Sequence, residues 1–265
     1  MRQASLIFCW VVLICGCSGI QTKESGETPR EQPVKIEKAG FKIKEGEKLK
    51  FSIRWLGMEV GTADVAVKGI EEIRGRKAYH IAVSVRSKSV IDLVYPVRDE
   101  HHSYIDTEHF HSLRYEKVLK EGRYRADEVM DFDQETHKAV YISRRNGSRK
   151  QMLIPKDVQD QVSAAFWFRV QPMKTGETVT IPINTDEKNW KLAVKILKQE
   201  QIHIDELGDF NAVQVEPEVK FQGVFIHRGK MTGWMSVDDK RLPLMMKTKI
   251  PVLGSVNVVL VAYGG

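Results

Sequence analysis

Residue types that could hold a metal ion are concentrated in one stretch, where four histidines lie within eleven positions. Neutral imidazole nitrogens bind zinc, and four of them around one point would form a complete site. If this stretch is a strand, His109 and His111 share a face, but His101 and His102 point to opposite faces. Acidic residues flank both pairs, which is typical of solvated strand edges and turns. We therefore expect no metal site and no cofactor.

Nucleophile motifs of the common hydrolases are missing from the sequence. There is no G-x-S-x-G elbow, which exposes a serine at the top of a sheet, and no S-x-x-K motif. All three cysteines occur before residue 18, so the remainder of the chain has no thiol that could act as a nucleophile. We expect a non-enzymatic protein without catalytic residues.

Cysteine usage indicates a membrane anchor instead. A short basic opening with Arg2 precedes an apolar run from Leu6 to Ile14, and this order predicts a secretory signal peptide. The segment Ile14-Cys15-Gly16-Cys17 resembles the bacterial lipobox. That resemblance implies a lipoprotein-type signal peptide over residues 1–16, cleavage before Cys17, and lipid attachment at Cys17 by diacylglycerol and an acyl group such as palmitate.

Residues 17–40 are polar and show no hydrophobic period, so we predict a lipidated, flexible tether. Such a coil would span on the order of 25 Å. The net charge of +6 is spread over clusters of mixed sign, which suits an anionic lipid surface and does not indicate a nucleic-acid partner. A basic turn around Asn146-Gly147 is either a solvated hairpin tip or a contact to lipid phosphates.

From Phe41 onward, apolar residues alternate with polar ones, which is the pattern of half-buried β-strands. One example is the segment 49–55, where Leu49, Phe51, Ile53 and Trp55 alternate with polar residues. Turn signals separate many short strands of this kind. We predict a single, mainly β domain over residues 41–265: an antiparallel curved sheet or half-open β-barrel with one central amphipathic helix. Periodicity leaves barrel and sandwich unresolved.

The segment 157–169 departs from the strand period and predicts the helix. Asp157 is the expected N-cap, and Pro172 follows the expected end. Its apolar residues recur at helical spacing and then broaden into a wide surface: Val158, Val162, Ala165, Phe166, Trp167 and Phe168. A helix this apolar must be covered, and the concave face of the sheet is the simplest cover. The helix divides the strands into an N-terminal set (41–145) and a C-terminal set (177–263).

Bulky apolar side chains are the candidates for a ligand site. We predict that these residues line one: Trp55, Phe166, Trp167, Phe168, Met245 and Met246. For any single residue, the alternative is that it simply fills the core. The argument for a cavity is collective, because a curved sheet around one helix tends to enclose more space than its side chains fill.

Several short blocks, in their order along the chain, resemble the bacterial domain-of-unknown-function family 3108. They are Gly46–Phe51, Trp55–Gly57, Gly61–Ala63, Val97–Asp106, Asp160–Arg169, Trp234, Asp238-Asp239, Arg241–Pro243 and Gly254–Val256. Gln161 stands where a proline is expected in the family pattern. The resemblance implies an exported, β-rich protein of bacteria with two membranes, and it implies no activity.

Two functions of different kinds remain open. The first is a membrane-anchored periplasmic lipoprotein that binds an acyl chain or other hydrophobic ligand in the cell envelope. The second is a scaffold or assembly lipoprotein that binds another envelope protein. Ser18 directly after Cys17 favours the outer membrane, with the domain facing the periplasm.

Overall fold

The structure is a computed structural model that describes residues 42–221, 224–225, 230–250 and 254–265. The predicted signal peptide, the lipid-attachment residue Cys17 and the tether all lie outside these residues. Within them, no helix has the length and hydropathy needed to span a bilayer. The described residues belong to the predicted β-rich domain.

The described chain forms one antiparallel sheet, in which the first eight strands lie side by side in sequence order. They are β1 (Lys48–Trp55), β2 (Met58–Ile73), β3 (Arg76–Ser87), β4 (Arg98–Asp106), β5 (Ser112–Glu121), β6 (Tyr124–Asp133), β7 (Lys138–Ser143) and β8 (Arg149–Leu153). A short helix, α1 (Ser89–Val94), connects β3 to β4. Antiparallel neighbours need only short turns, so this half of the sheet follows from the alternating sequence pattern.

The second half of the sheet follows helix α2 (Gln161–Arg169). Its strands are β9 (Thr178–Thr185), β10 (Lys188–Ile204), β11 (Gly208–Phe221), β12 (Val224–Phe225), β13 (Lys230–Ser236), β14 (Pro243–Ile250) and β15 (Gly254–Gly264). Their order is β9-β10-β11-β13-β14-β15, and β12 pairs with β11 alone. β15 then pairs with β1, which places Phe51 opposite Leu260 and Ile53 opposite Val258.

The sheet curves without closing, because its outer strands β8 and β9 do not pair with each other. Register shifts interrupt the strand pairing after Lys50, Val67 and Ile196. Such bulges bend and twist a sheet locally. The predicted fold class is therefore confirmed: the domain is mainly β and forms a curved, half-open barrel.

Helix α2 lies against the concave face of this sheet and is buried along nearly its whole length. Val162 and Phe166 pack into a core cluster shared mainly with β1–β7, β14 and β15. Ala164, Trp167 and Phe168 pack into a second cluster with β9, β10, β11 and β13. The helix therefore fills the space between the two halves of the sheet, as its wide apolar surface predicts.

Two local predictions were wrong, and one short helix was missed. Helix α2 begins at Gln161, and its N-cap is Asp160 rather than Asp157, whose backbone is left-handed (φ 55°). The N-terminal strands extend past residue 145, because β8 is an exposed, polar edge strand whose sequence does not alternate. Helix α1 was not predicted, since six residues are too few to show a helical period.

Candidate functional site

A buried carboxylate fixes the start of helix α2. One oxygen of Asp160 accepts hydrogen bonds from the backbone amides of Val162 (2.7 Å) and Ser163 (2.9 Å). The other accepts from the hydroxyls of Ser103 on β4 (2.7 Å) and Ser112 on β5 (2.5 Å). Burial raises the pKa of Asp160, whereas these four donors favour its charged form. The helix start is thereby tied to the sheet.

The end of α2 is held by a buried ion pair. The guanidinium of Arg169, only 2% exposed, donates two hydrogen bonds to Glu47, at 2.8 and 2.6 Å. It also donates to the carbonyls of Lys240 and Arg241, both at 3.0 Å. Since both ends of the helix are fixed, the space between its middle and the sheet has a defined shape.

That space contains an apolar cavity of about 190 Å³. Among the described residues that line it, only Gln161 and Arg169 have strongly polar side chains. Gln161 is engaged by Thr185 and by the hydroxyl of Tyr115, and Arg169 is engaged by Glu47. The cavity can therefore receive an apolar group, but its wall offers no uncommitted charge to a polar one.

The cavity opens to solvent beside the middle of the helix. Ala165 lines it and is exposed, in contrast to the buried residues on either side. On the sheet side, Gly233 lines the cavity, and a Cβ there would lie 3.1 Å from the side chain of Val215. Two small residues thus leave room where larger side chains would reduce the volume.

Four of the six predicted lining residues contact this cavity: Phe166, Phe168, Met245 and Met246. Trp167 does not, because at 100° per residue it lies on the side of α2 roughly opposite Ala165. It packs into the core cluster of β9–β11 instead. Trp55 packs at the end of β1, against the first core cluster. Trp55 and Trp167 therefore fill the core, which was the alternative to lining a ligand site.

Several wall residues were not singled out from the sequence. They are mainly strand positions on the concave face: Leu49, Phe51, Val65, Val83, Ile181, Leu192, Val194, Val215 and Val258. Most belong to segments that alternate clearly, so the signal for an inward-facing side chain was present. What was missing was the location of the unfilled space, which depends on how far the helix stands from each strand.

His101 and His102 lie on β4, whereas the second half of the histidine stretch forms the turn between β4 and β5. In this turn, Asp106, His109 and His111 bring ligand-type atoms within 4.8 Å of one another. The Asp106 carboxylate is already engaged there. It accepts from Arg76 Nε (2.7 Å) and from the backbone amides of Glu108 (2.9 Å) and His109 (2.7 Å). The positive charge of Arg76 beside this carboxylate would repel a metal cation, so the geometry supports a structural turn rather than a metal site.

These features define a class of protein: an open, barrel-like antiparallel sheet that wraps one buried helix and keeps an apolar cavity beside it. The family model described as "Protein of unknown function (DUF3108)" matches residues 50–261. The chain belongs to this family. No curated protein is significantly similar to it.

Solved structures with a similar fold are distant in sequence. A β-barrel-like protein of the domain of unknown function DUF1849 from Brucella abortus matches with a TM-score of 0.56 and 9% identity, over 83% of this chain and 97% of that one. A protein with a YmcC-like fold from Bacteroides fragilis matches with a TM-score of 0.37 and 8% identity, over 85% and 98%. The first match shows a shared fold and no more, and the second is too weak to support an argument.

Proposed function

We propose that this chain is an exported lipoprotein, anchored through Cys17, that binds one acyl chain or a similar hydrophobic ligand without catalysing a reaction. The observation that supports this most directly is the apolar cavity, whose polar lining residues Gln161 and Arg169 are already paired. An alkyl tail would enter the cavity, and its polar head group would stay at the mouth near Ala165.

The size of the cavity favours a narrow ligand. Drug-sized sites occupy roughly 300–1,000 Å³, and this cavity of about 190 Å³ is smaller. Each methylene group that leaves water contributes about 0.8 kcal/mol, so even a short alkyl segment would bind measurably. A single acyl tail, or the terminal part of a longer one, is narrow enough for this volume and apolar enough to bind.

The position of the predicted tether is consistent with this role. The described chain starts at Lys42, and five residues later Glu47 pairs with Arg169, which lines the cavity. A flexible tether that leaves the domain at this point would keep the cavity on the order of 25 Å from the lipid anchor. We place the domain at the outer membrane, facing the periplasm.

Native mass spectrometry of residues 40–265, purified from the periplasm without detergent, tests the proposal. We expect a fatty acid or phospholipid to co-purify in a ratio near one to one. Ala165→Leu adds a side chain at the mouth and should weaken binding of a fatty acid such as decanoate by about tenfold. Ala165→Ser keeps the volume nearly unchanged and is the matched control. A domain that carries no lipid, and binds none when it is offered, would contradict the proposal.

A second candidate function is supported by one end of the sheet. Four large apolar residues are exposed there: Leu56 (66%), Met58 (59%), Leu93 (86%) and Val94 (80%). The first two lie at the turn between β1 and β2, and the others lie on α1, which follows β3 beside β2. Exposed apolar groups of this kind mark protein-interaction surfaces. A scaffold lipoprotein that binds another envelope protein becomes the preferred function if the cavity binds no lipid.

A further inference from the structure

A second pocket lies where strand β6 begins and strand β7 ends, and it shares no lining residue with the apolar cavity. We call it the polar cleft. It has a volume of about 390 Å³ and is lined by Tyr124, Arg125, Ala126, Glu128, Tyr141, Ser143, Arg145 and Asn146. Two aromatic rings, two guanidinium groups, a carboxylate, an amide and a hydroxyl thus surround one space.

A row of polar side chains continues from the polar cleft across the concave face. Ser143, Glu128, Lys117 and His101 lie opposite one another on β7, β6, β5 and β4. The Lys117 ammonium lies 3.0 Å from Glu128 and 3.0 Å from Asp186. Polar groups on an inward face are costly to bury unless they are paired, and the ion pairs of Lys117 meet this requirement.

The protonation states of this row are fixed by its neighbours. Burial alone would lower the pKa of Lys117, but Asp186 and Glu128 outweigh burial and raise it. Burial, followed by Glu128, raises the pKa of Tyr141 to about 12, so its hydroxyl remains a donor. Burial and then Lys117 lower the pKa of His101 to about 3. Clusters of strongly shifted groups beside a cleft are typical of binding sites.

The rim of the polar cleft carries positive charge that is available to a ligand. Arg125 and Arg145 are exposed, and in the described part of the chain neither forms an ion pair with a carboxylate. Both guanidinium groups donate to backbone carbonyls: Arg125 donates to Gly122 (2.8 Å) and to Tyr124 (2.7 Å), and Arg145 donates to Arg125. Glu128, in contrast, is neutralised by Lys117.

We propose that the polar cleft binds a sugar ring that carries an anionic group. The Tyr124 ring is 48% exposed and would pack against the apolar C–H face of the sugar. Glu128, Ser143 and Asn146 would bind hydroxyl groups and fix the orientation of the ring. Arg145 would form a charge-assisted bond with the anion. This site is separate from the proposed lipid cavity, and either can exist without the other.

The test uses the processed chain in lipid nanodiscs, with calorimetry and saturation-transfer NMR as readouts. The probes are N-acetylmuramic acid, which bears a carboxylate, its neutral counterpart N-acetylglucosamine, and inorganic phosphate. We expect the neutral sugar to bind about tenfold more weakly than the acid, because it lacks one charge-assisted bond. Phosphate should fail to displace the acidic sugar.

Variants locate the site. Tyr124→Ala and Arg145→Ala should each weaken binding of N-acetylmuramic acid by about tenfold. Tyr124→Phe keeps the ring and should retain binding. Arg149→Ala changes an exposed arginine of the same hairpin that does not line the polar cleft, and it should have little effect. The proposal is overturned if neither sugar binds, if phosphate competes as well as the sugar, or if Arg149→Ala weakens binding as much as Arg145→Ala.

Discussion

Asp160 both caps helix α2 and binds the hydroxyls of two strands beneath it. Asp160→Ala removes the cap and leaves the buried hydroxyls of Ser103 and Ser112 without their acceptor. We expect the free energy of unfolding to fall by about 2–4 kcal/mol. Chemical denaturation monitored by tryptophan fluorescence measures this loss.

Asp157 supplies the control. Local sequence favours it as the cap, but its side chain is half exposed and lies 3.3 Å from His111 instead of capping the helix. Asp157→Asn tolerates the same left-handed backbone and should change stability by less than about 0.5 kcal/mol. Equal losses for the two variants would contradict the assignment of Asp160 as the residue that fixes the helix.

Two buried carboxyl groups lie side by side at the ends of β4 and β5. Asp99 and Glu121 are each 2% exposed, and Glu121 lies close enough to influence the pKa of Asp99. The backbone amide of Lys120 also donates to Asp99, at 2.8 Å. Burial is the largest effect and raises the pKa of Asp99 above its ordinary 3.8. Because burial disfavours the charged carboxylate, folded Asp99 retains its proton to a higher pH than Asp99 of the unfolded chain does.

This retained proton makes stability depend on pH in a defined direction. Above the unfolded pKa of Asp99, the native state binds more protons than the unfolded state, so the free energy of unfolding falls as pH rises towards the folded pKa. Asp99→Asn carries its own donor and removes this dependence. Relative to the parent, we expect the variant to gain stability as the pH rises from 4 to 7. Urea denaturation at both pH values measures the gain; an unchanged difference would argue against a raised pKa of Asp99.

At the scale of elements, the ion pair between Glu47 and Arg169 joins the end of α2 to the segment before β1. Glu47→Gln leaves a buried guanidinium without its anion and should cost about 3–5 kcal/mol of unfolding free energy. Hydrogen exchange of the α2 amides should accelerate as well. The double change Glu47→Leu with Arg169→Met removes both charges and should recover most of the loss. If the double variant is as unstable as the single one, packing rather than charge accounts for the effect.

The existence of α2 could be predicted from its sequence, but its first residue could not. Asp157 and Asp160 are both acceptable caps by residue type. The structure selects Asp160 because Ser103 and Ser112, about fifty residues earlier in the chain, meet it on the sheet. A contact of that separation leaves no trace in local periodicity.

The candidate site was predictable to a similar extent. Phe166 and Phe168 were recognised because a helix with so wide an apolar surface must face the sheet on several sides. Trp167 belongs to the same surface but faces the packed side of the helix. Residue type predicts that a side chain is buried. Whether the side chain packs against its neighbours or borders a cavity depends on the distances between the helix and the strands.

At the scale of the whole molecule, alternation and turn signals predicted an antiparallel curved sheet of many short strands. The pairing of β1 with β15 could not be predicted, because no turn joins them. Charged side chains on β8 protect this open edge of the sheet from pairing with other molecules. Arg149 and Lys150 are exposed there, and charged edge strands resist pairing with other molecules.

The position of β1 and β15 in the middle of the sheet has a consequence for how the domain forms. These paired strands are about two hundred residues apart in sequence, and contacts of such separation slow folding. The strands from β1 to β8 can pair as consecutive hairpins. The centre of the sheet forms only when β15 pairs with β1. Until then β1 is paired on one side only and leaves a strand edge open, and transiently open edges of this kind promote aggregation during folding.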